Sequence, residues 1–169
     1  MDQVADLGTI NVVGRRSGAR NSSSSKNGTQ HNYKIRVQIL CSAADTFDMI
    51  KGAGMSAPGA PAAREGRTGG IRLYGNGGRN YITQVVNSRA RTITNITEFS
   101  HQFYPGTVNI SVVSGPNGTS FIGVYGTGVV DSPVLNNVLG YAFFGGVMAA
   151  GIERRCAEAA NVMFAGSVP

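Results

Sequence analysis

The chain has 169 residues, of which 41% are hydrophobic and only 14% charged, with 24 glycines and no tryptophan. That length suits one domain with its own core, the hydrophobic fraction excludes disorder throughout, and the sparse charge favours strands and turns over charged helices. The formal net charge of +6 raises an anionic partner such as nucleic acid. However, Arg15, Arg16, Arg20 and Lys26 fall in one polar tract without interleaved aromatics, so the tract reads as a solvated basic loop rather than a stacking platform.

In chain order, Leu7 to Val13 is a possible first strand and RRSGARNSSSSKNG is a loop, because small polar side chains bury too little surface to offset ordering. Residues 1–31 therefore form an N-terminal extension, and residues 32–169 a single folded domain. The start, MDQVADLGTINVV, has acids where a secretory signal has bases and no continuous apolar run, which points to the cytoplasm. Cys41 and Cys156 lie far apart and outside any C-x-x-C spacing, so the pair indicates neither a zinc site nor a disulfide framework and reads as two reduced, packed thiols.

From Tyr33 to Leu40, apolar Tyr33, Ile35, Val37 and Ile39 alternate with Lys34, Arg36 and Gln38, as a half-buried strand requires. Ser42 is placed to cap a short helix over Ala43 to Lys51, with Gly52 able to close it in the left-handed conformation. The segment from Gly54 to Gly70 permits either a loop or one irregular helical turn. Strands follow at Ile71 to Tyr74, Tyr81 to Val86, Arg91 to Phe99, Thr107 to Val113 and Thr119 to Val130, punctuated by turn signals, which makes an antiparallel meander. Asn76-Gly77 and Asn117-Gly118 supply the positive φ angles that tight turns demand. His101, one of two histidines, falls in FSHQFYPGTV between two of these strands.

The last element is a helix from about Val134 to Val162, with Asp131 or Ser132 as cap and Pro133 in the first turn. Val138, Tyr141, Gly145, Met148 and Ile152 make one apolar stripe, and Leu139, Phe143 and Val147 a second. Ala142, Gly146 and Ala150 form a track of small side chains, and Glu153, Arg154, Arg155 and Glu158 face water. The apolar run VLGYAFFGGVMAAGI is too short for a hydrocarbon core that needs roughly 20 residues, so it reads as a core helix, not a transmembrane segment.

Catalytic signatures are weak. Cys41, His31 and His101 are candidates by residue type only, and the two histidines give no metal-ligand spacing, so neither a metal nor a cofactor is called for. Gly75-Asn76-Gly77-Gly78 lies between strands, which makes it a hairpin turn rather than a phosphate loop. A curved sheet wrapped around a long apolar helix leaves an apolar pocket between them, although the same side chains can also close-pack as core.

The order strand, short helix, irregular linker, meander, long C-terminal helix resembles the START and birch-allergen-like superfamily, and in particular its polyketide cyclase/dehydrase and lipid-transport family. GGIRLYGNGGRNYITQVV resembles that family's segment in which a Gly-x-x-Arg strand leads through a loop into the next strand. RTITNITEFSHQFYPGTVNISV resembles its following hairpin, and VVDSP its approach to the final helix. The resemblance spans about Asn32 to Val162 and implies an α+β helix-grip fold, a curved antiparallel sheet around a long C-terminal helix that encloses a hydrophobic ligand.

On that resemblance, Gly75 to Asn80 matches the gate of the plant hormone receptors in the superfamily, and Ser100 to Phe103 their His-containing latch. His101 and Phe103 are then expected at the pocket mouth, Gln84 where the family often carries Glu, Thr94 and Ile96 toward the pocket, and Tyr141, Phe144 and Met148 on the helix. The receptors' Ser-Gly-Leu-Pro-Ala gate is absent, and Gln84 removes a titratable anchor, which favours a binding module over an enzyme. Two alternatives stand beside the binding of a lipid, polyketide or similar molecule: a polyketide cyclase/dehydratase in which His101 moves a proton, and a nucleic-acid or anion binder using the basic loop.

Overall fold

A computed structural model describes residues 29–74, 80–130 and 140–165. The expected first strand, the basic loop, most of the gate and the capped start of the last helix lie outside the described residues.

Strand β1 (Thr29–Ile39) shows the alternation written in its sequence, with Tyr33, Ile35 and Ile39 buried and Lys34, Arg36 and Gln38 exposed. Helix α1 (Ala43–Ile50) starts at Ser42, whose Oγ accepts the Asp45 backbone N–H, and buries Ala43, Thr46, Phe47 and Ile50 on one face. The left-handed backbone after α1 sits at Gly54 rather than at Gly52. Beyond it come β2 (Gly66–Arg72), β3 (Tyr81–Asn87), β4 (Thr92–Thr97), β5 (Thr107–Ser114) and β6 (Ser120–Val130). The β5–β6 connection turns through Asn117 and Gly118, both at positive φ, which the short polar Asn side chain tolerates and the absence of a Cβ allows in Gly.

The strands form one antiparallel sheet in the order β1-β6-β5-β4-β3-β2, so the meander β2 to β6 is completed by the N-terminal strand beside β6. β2 begins five residues earlier than its hydrophobic pattern indicates, because Gly66, Arg67 and Thr68 already pair with β3 before the register slips between Thr68 and Ile71. The sheet is curved, and its inner face carries Ile35, Ile39, Val86, Ile93, Ile110, Val112, Ile122 and Val124.

Among the described residues the C-terminal helix is followed from Gly140, which is already helical; it winds as π-helix over Tyr141–Met148 and continues as α2 (Ala149–Ala165). Phe144, Met148, Ile152 and Cys156 are its buried side chains within the main core. The wider π turns rotate the helix face, so Phe144 rather than Gly145 enters the core and Val147 is 65% exposed. The small-residue track Ala142, Gly146 and Ala150 faces outward. A second cluster of Ala57, Ala60, Ile71 and Ile82 shows what the Ala/Gly/Pro segment does: it folds as irregular turns over the β2–β3 end of the sheet.

Cys41 and Cys156 correct the reduced-thiol reading. They form a disulfide with Cα atoms 5.9 Å apart, joining the end of β1 to α2 across 115 residues of sequence.

Candidate functional site on the inner face of the sheet

Along β3, Ile82, Gln84 and Val86 point inward, and Gln84 pairs directly with Asn95 of β4. Directly opposed side chains on one face lie close enough to bond. Gln84 Nε2 donates to Asn95 Oδ1 at 2.8 Å and to Ser56 Oγ at 3.0 Å, while Asn95 Nδ2 donates to the Ser56 carbonyl at 2.8 Å. All three residues are buried. Because two acceptors fix the amide nitrogen, the Gln84 carbonyl oxygen is turned away from both. The trio sits where the main core, which holds Val86 and Ile93, meets the smaller cluster around Ile82.

The β4–β5 connection holds His101, which is only 6% exposed. Its N–H donates to the Glu98 carbonyl at 2.8 Å, its carbonyl accepts the Tyr104 N–H at 3.1 Å, and its Nδ1 accepts the Phe103 N–H at 3.1 Å. A neutral ring that accepts at Nδ1 carries its proton on Nε2. The Phe103 ring lies 5.6 Å from the imidazole. The loop is fastened to the start of β3, since Gln102 N–H donates to Asn80 Oδ1 and Glu98 N–H to the Tyr81 carbonyl. Asn80 is the one described residue of the segment expected as a gate, and this hydrogen bond ties it to the segment expected as a latch.

On the helix side, Met148 is fully buried, Phe144 stacks near Tyr33 with ring centroids 6.4 Å apart, and Tyr141 is half-buried against the same core. Burial pushes the Tyr33 phenol well above its ordinary value. Thr94 and Ile96 depart from expectation. Their neighbours Ile93 and Asn95 occupy the inner face, so strand alternation turns Thr94 and Ile96 to the outer one, where Thr94 Oγ1 bonds Asn109 Oδ1 at 2.6 Å. His31 lies near the start of β1, in register with Gly128. Among the described residues, no three His, Cys, Asp or Glu side chains gather where they would hold a metal ion, and no helix is long and apolar enough to cross a membrane.

Sequence reasoning did not find Ser56, whose segment carries no periodic signal. Nor did it find a groove of about 560 Å³ at the corner of β1, α1 and α2, lined by Leu40, Met49, Asp45, Arg155 and the disulfide. This groove lies outside the polar trio, so the described molecule has an inner candidate site and a separate outer cleft.

No protein-family model matches the chain, and no curated protein sequence matches it. Among solved structures, it is similar to a START superfamily protein from Mycobacterium smegmatis, at 12% identity and TM-score 0.56, covering 76% of this chain and 98% of the other. It is similar to norcoclaurine synthase from Thalictrum flavum in complex with dopamine and hydroxybenzaldehyde, at 12% identity and TM-score 0.54, over 84% and 98% of the two chains. A Streptomyces aromatase/cyclase gives 10% identity and TM-score 0.53 over 74% and 93%. The curved six-stranded antiparallel sheet with its C-terminal helix matches these neighbours over nearly their whole lengths, and the chain has a START/birch-allergen-like helix-grip fold.

Proposed function

We propose that the chain binds a small hydrophobic molecule, a lipid, polyketide or similar compound, between the inner face of the sheet and the C-terminal helix. The observation that carries this reading is the buried Gln84–Ser56–Asn95 trio, which fixes the orientation of the Gln84 amide where the two apolar clusters meet. Tyr141, Phe144 and Met148 supply apolar contact, worth about 25 cal/mol per Å² of ligand surface removed from water. The Gln84 oxygen orients a donor group of the ligand, and His101 with Phe103 borders the entrance. Thr94 and Ile96 face away and are not assigned a contact.

Solvent extraction of natively purified protein followed by mass spectrometry tests the reading. A stoichiometric apolar molecule is the expected result, and Gln84→Leu is expected to weaken its rebinding by about tenfold, the worth of one hydrogen bond. A chain that carries nothing and fails to take up apolar probes such as anilinonaphthalene sulfonate would sink the proposal.

A further inference from the structure

We propose that the Cys41–Cys156 bridge is a thiol–disulfide exchange site, open to a small thiol through the outer groove, and that exchange there releases the C-terminal part of α2 from the body of the sheet. Both cysteines line the groove, but the two residues differ in exposure. Cys41 is half-buried and lies on the groove beside Leu40, which is 80% exposed, whereas Cys156 is 6% exposed and packs with its Sγ 3.9 Å from Met49 Sδ. An incoming thiolate therefore meets Cys41 first.

Attack on Cys41 Sγ forms a bond to the incoming sulfur and breaks the Cys41–Cys156 bond, and the electron pair leaves on Cys156, which then takes a proton. A second thiol resolves the mixed disulfide. The net change oxidises two thiols to one disulfide and reduces the protein bridge to two thiols. Arg155, on the groove wall and adjacent in sequence to Cys156, favours the departing thiolate. Of the two groove carboxylates, Asp48 is engaged by Lys51 at 2.7 Å and Asp45 by Ser42 Oγ at 2.6 Å, which tempers their opposition.

The consequence follows from where Cys156 sits. Ile152, one turn earlier, is fully buried, and Ala157, Glu158 and Ala159 are exposed, so among the described side chains the bridge is the last attachment of α2 to the sheet. Breaking it leaves Phe144, Met148 and Ile152 as the described side chains that hold the helix to the sheet, and on this proposal loosens the turns beyond.

Folded protein treated with glutathione, then with millimolar dithiothreitol, tests this by intact mass, peptide mapping and hydrogen exchange. The expected results are a single mixed disulfide at Cys41, full reduction without unfolding, and faster exchange confined to residues 156–165, with slower adduct formation in Arg155→Gln. The Cys41→Ser/Cys156→Ser chain should show the fast exchange constitutively and no response to thiol. A bridge that resists the dithiol until the sheet unfolds, an adduct at Cys156, unchanged exchange in α2 after reduction, or free thiols in the untreated native chain would each overturn the proposal.

Discussion

Gln84 shows how one side chain acquires a direction: its amide has two acceptors on one side, so the oxygen is left for the other. Titratable groups give further residue-scale tests. Burial holds the proton on the Tyr33 phenol above its ordinary value of 10.0, so stability is complete below that pH and declines as pH rises past it. Tyr33→Phe should remove this alkaline decline, read by denaturant unfolding across the basic range. Glu65 behaves in the opposite sense. The Ser88 hydroxyl and then its backbone N–H stabilise the carboxylate and lower its pKa, so its contribution is present above the ordinary carboxylate value and is lost as pH falls through the lowered one. Carboxyl NMR titration of Ser88→Ala should show Glu65 returning upward.

At the scale of elements, the π turns decide which helix residues hold the helix to the sheet. Met148→Ala should cost about 2–5 kcal/mol as a core cavity, whereas exposed Val147→Lys should change stability by no more than about 0.5 kcal/mol, both read by chemical denaturation. Glycines on β6 and the helix make room for β1: a methyl group on Gly126 would overlap the Tyr33 ring, and one on Gly140 would lie 2.9 Å from it. Gly126→Ala is expected to destabilise by about 1–3 kcal/mol, the range for overpacking, and Tyr33→Leu in the same chain should restore part of the loss.

For the whole molecule, the disulfide closes a loop over most of the folded chain, and the sheet order places the N-terminal strand beside the last one. Removing both cysteines as Cys41→Ser/Cys156→Ser should cost about 2–5 kcal/mol relative to the oxidised chain, and dithiothreitol should lower the midpoint of the parent alone. The basic tract of Arg15, Arg16, Arg20 and Lys26 lies outside the described residues. Nucleic-acid binding through it would be recognised by an affinity that falls steeply with added salt.

Much of this architecture is written locally. The alternation of β1, the Ser42 cap, the Asn117-Gly118 turn and the apolar character of the last helix depend on residues within a few positions of one another, where backbone geometry and side-chain spacing act directly. The resemblance to the helix-grip superfamily rested on that order of elements, and the fold agrees. The sequence TITNIT carries polar and apolar residues on both of its faces, so β4 alone does not choose its inner side. Pairing Gln84 with Asn95 chose it, and turned Thr94 and Ile96 outward. Ser56 and the two cysteines likewise became partners only when distant segments packed, because contacts between residues tens of positions apart leave no periodic trace in the chain and are decided by how its surfaces fit together.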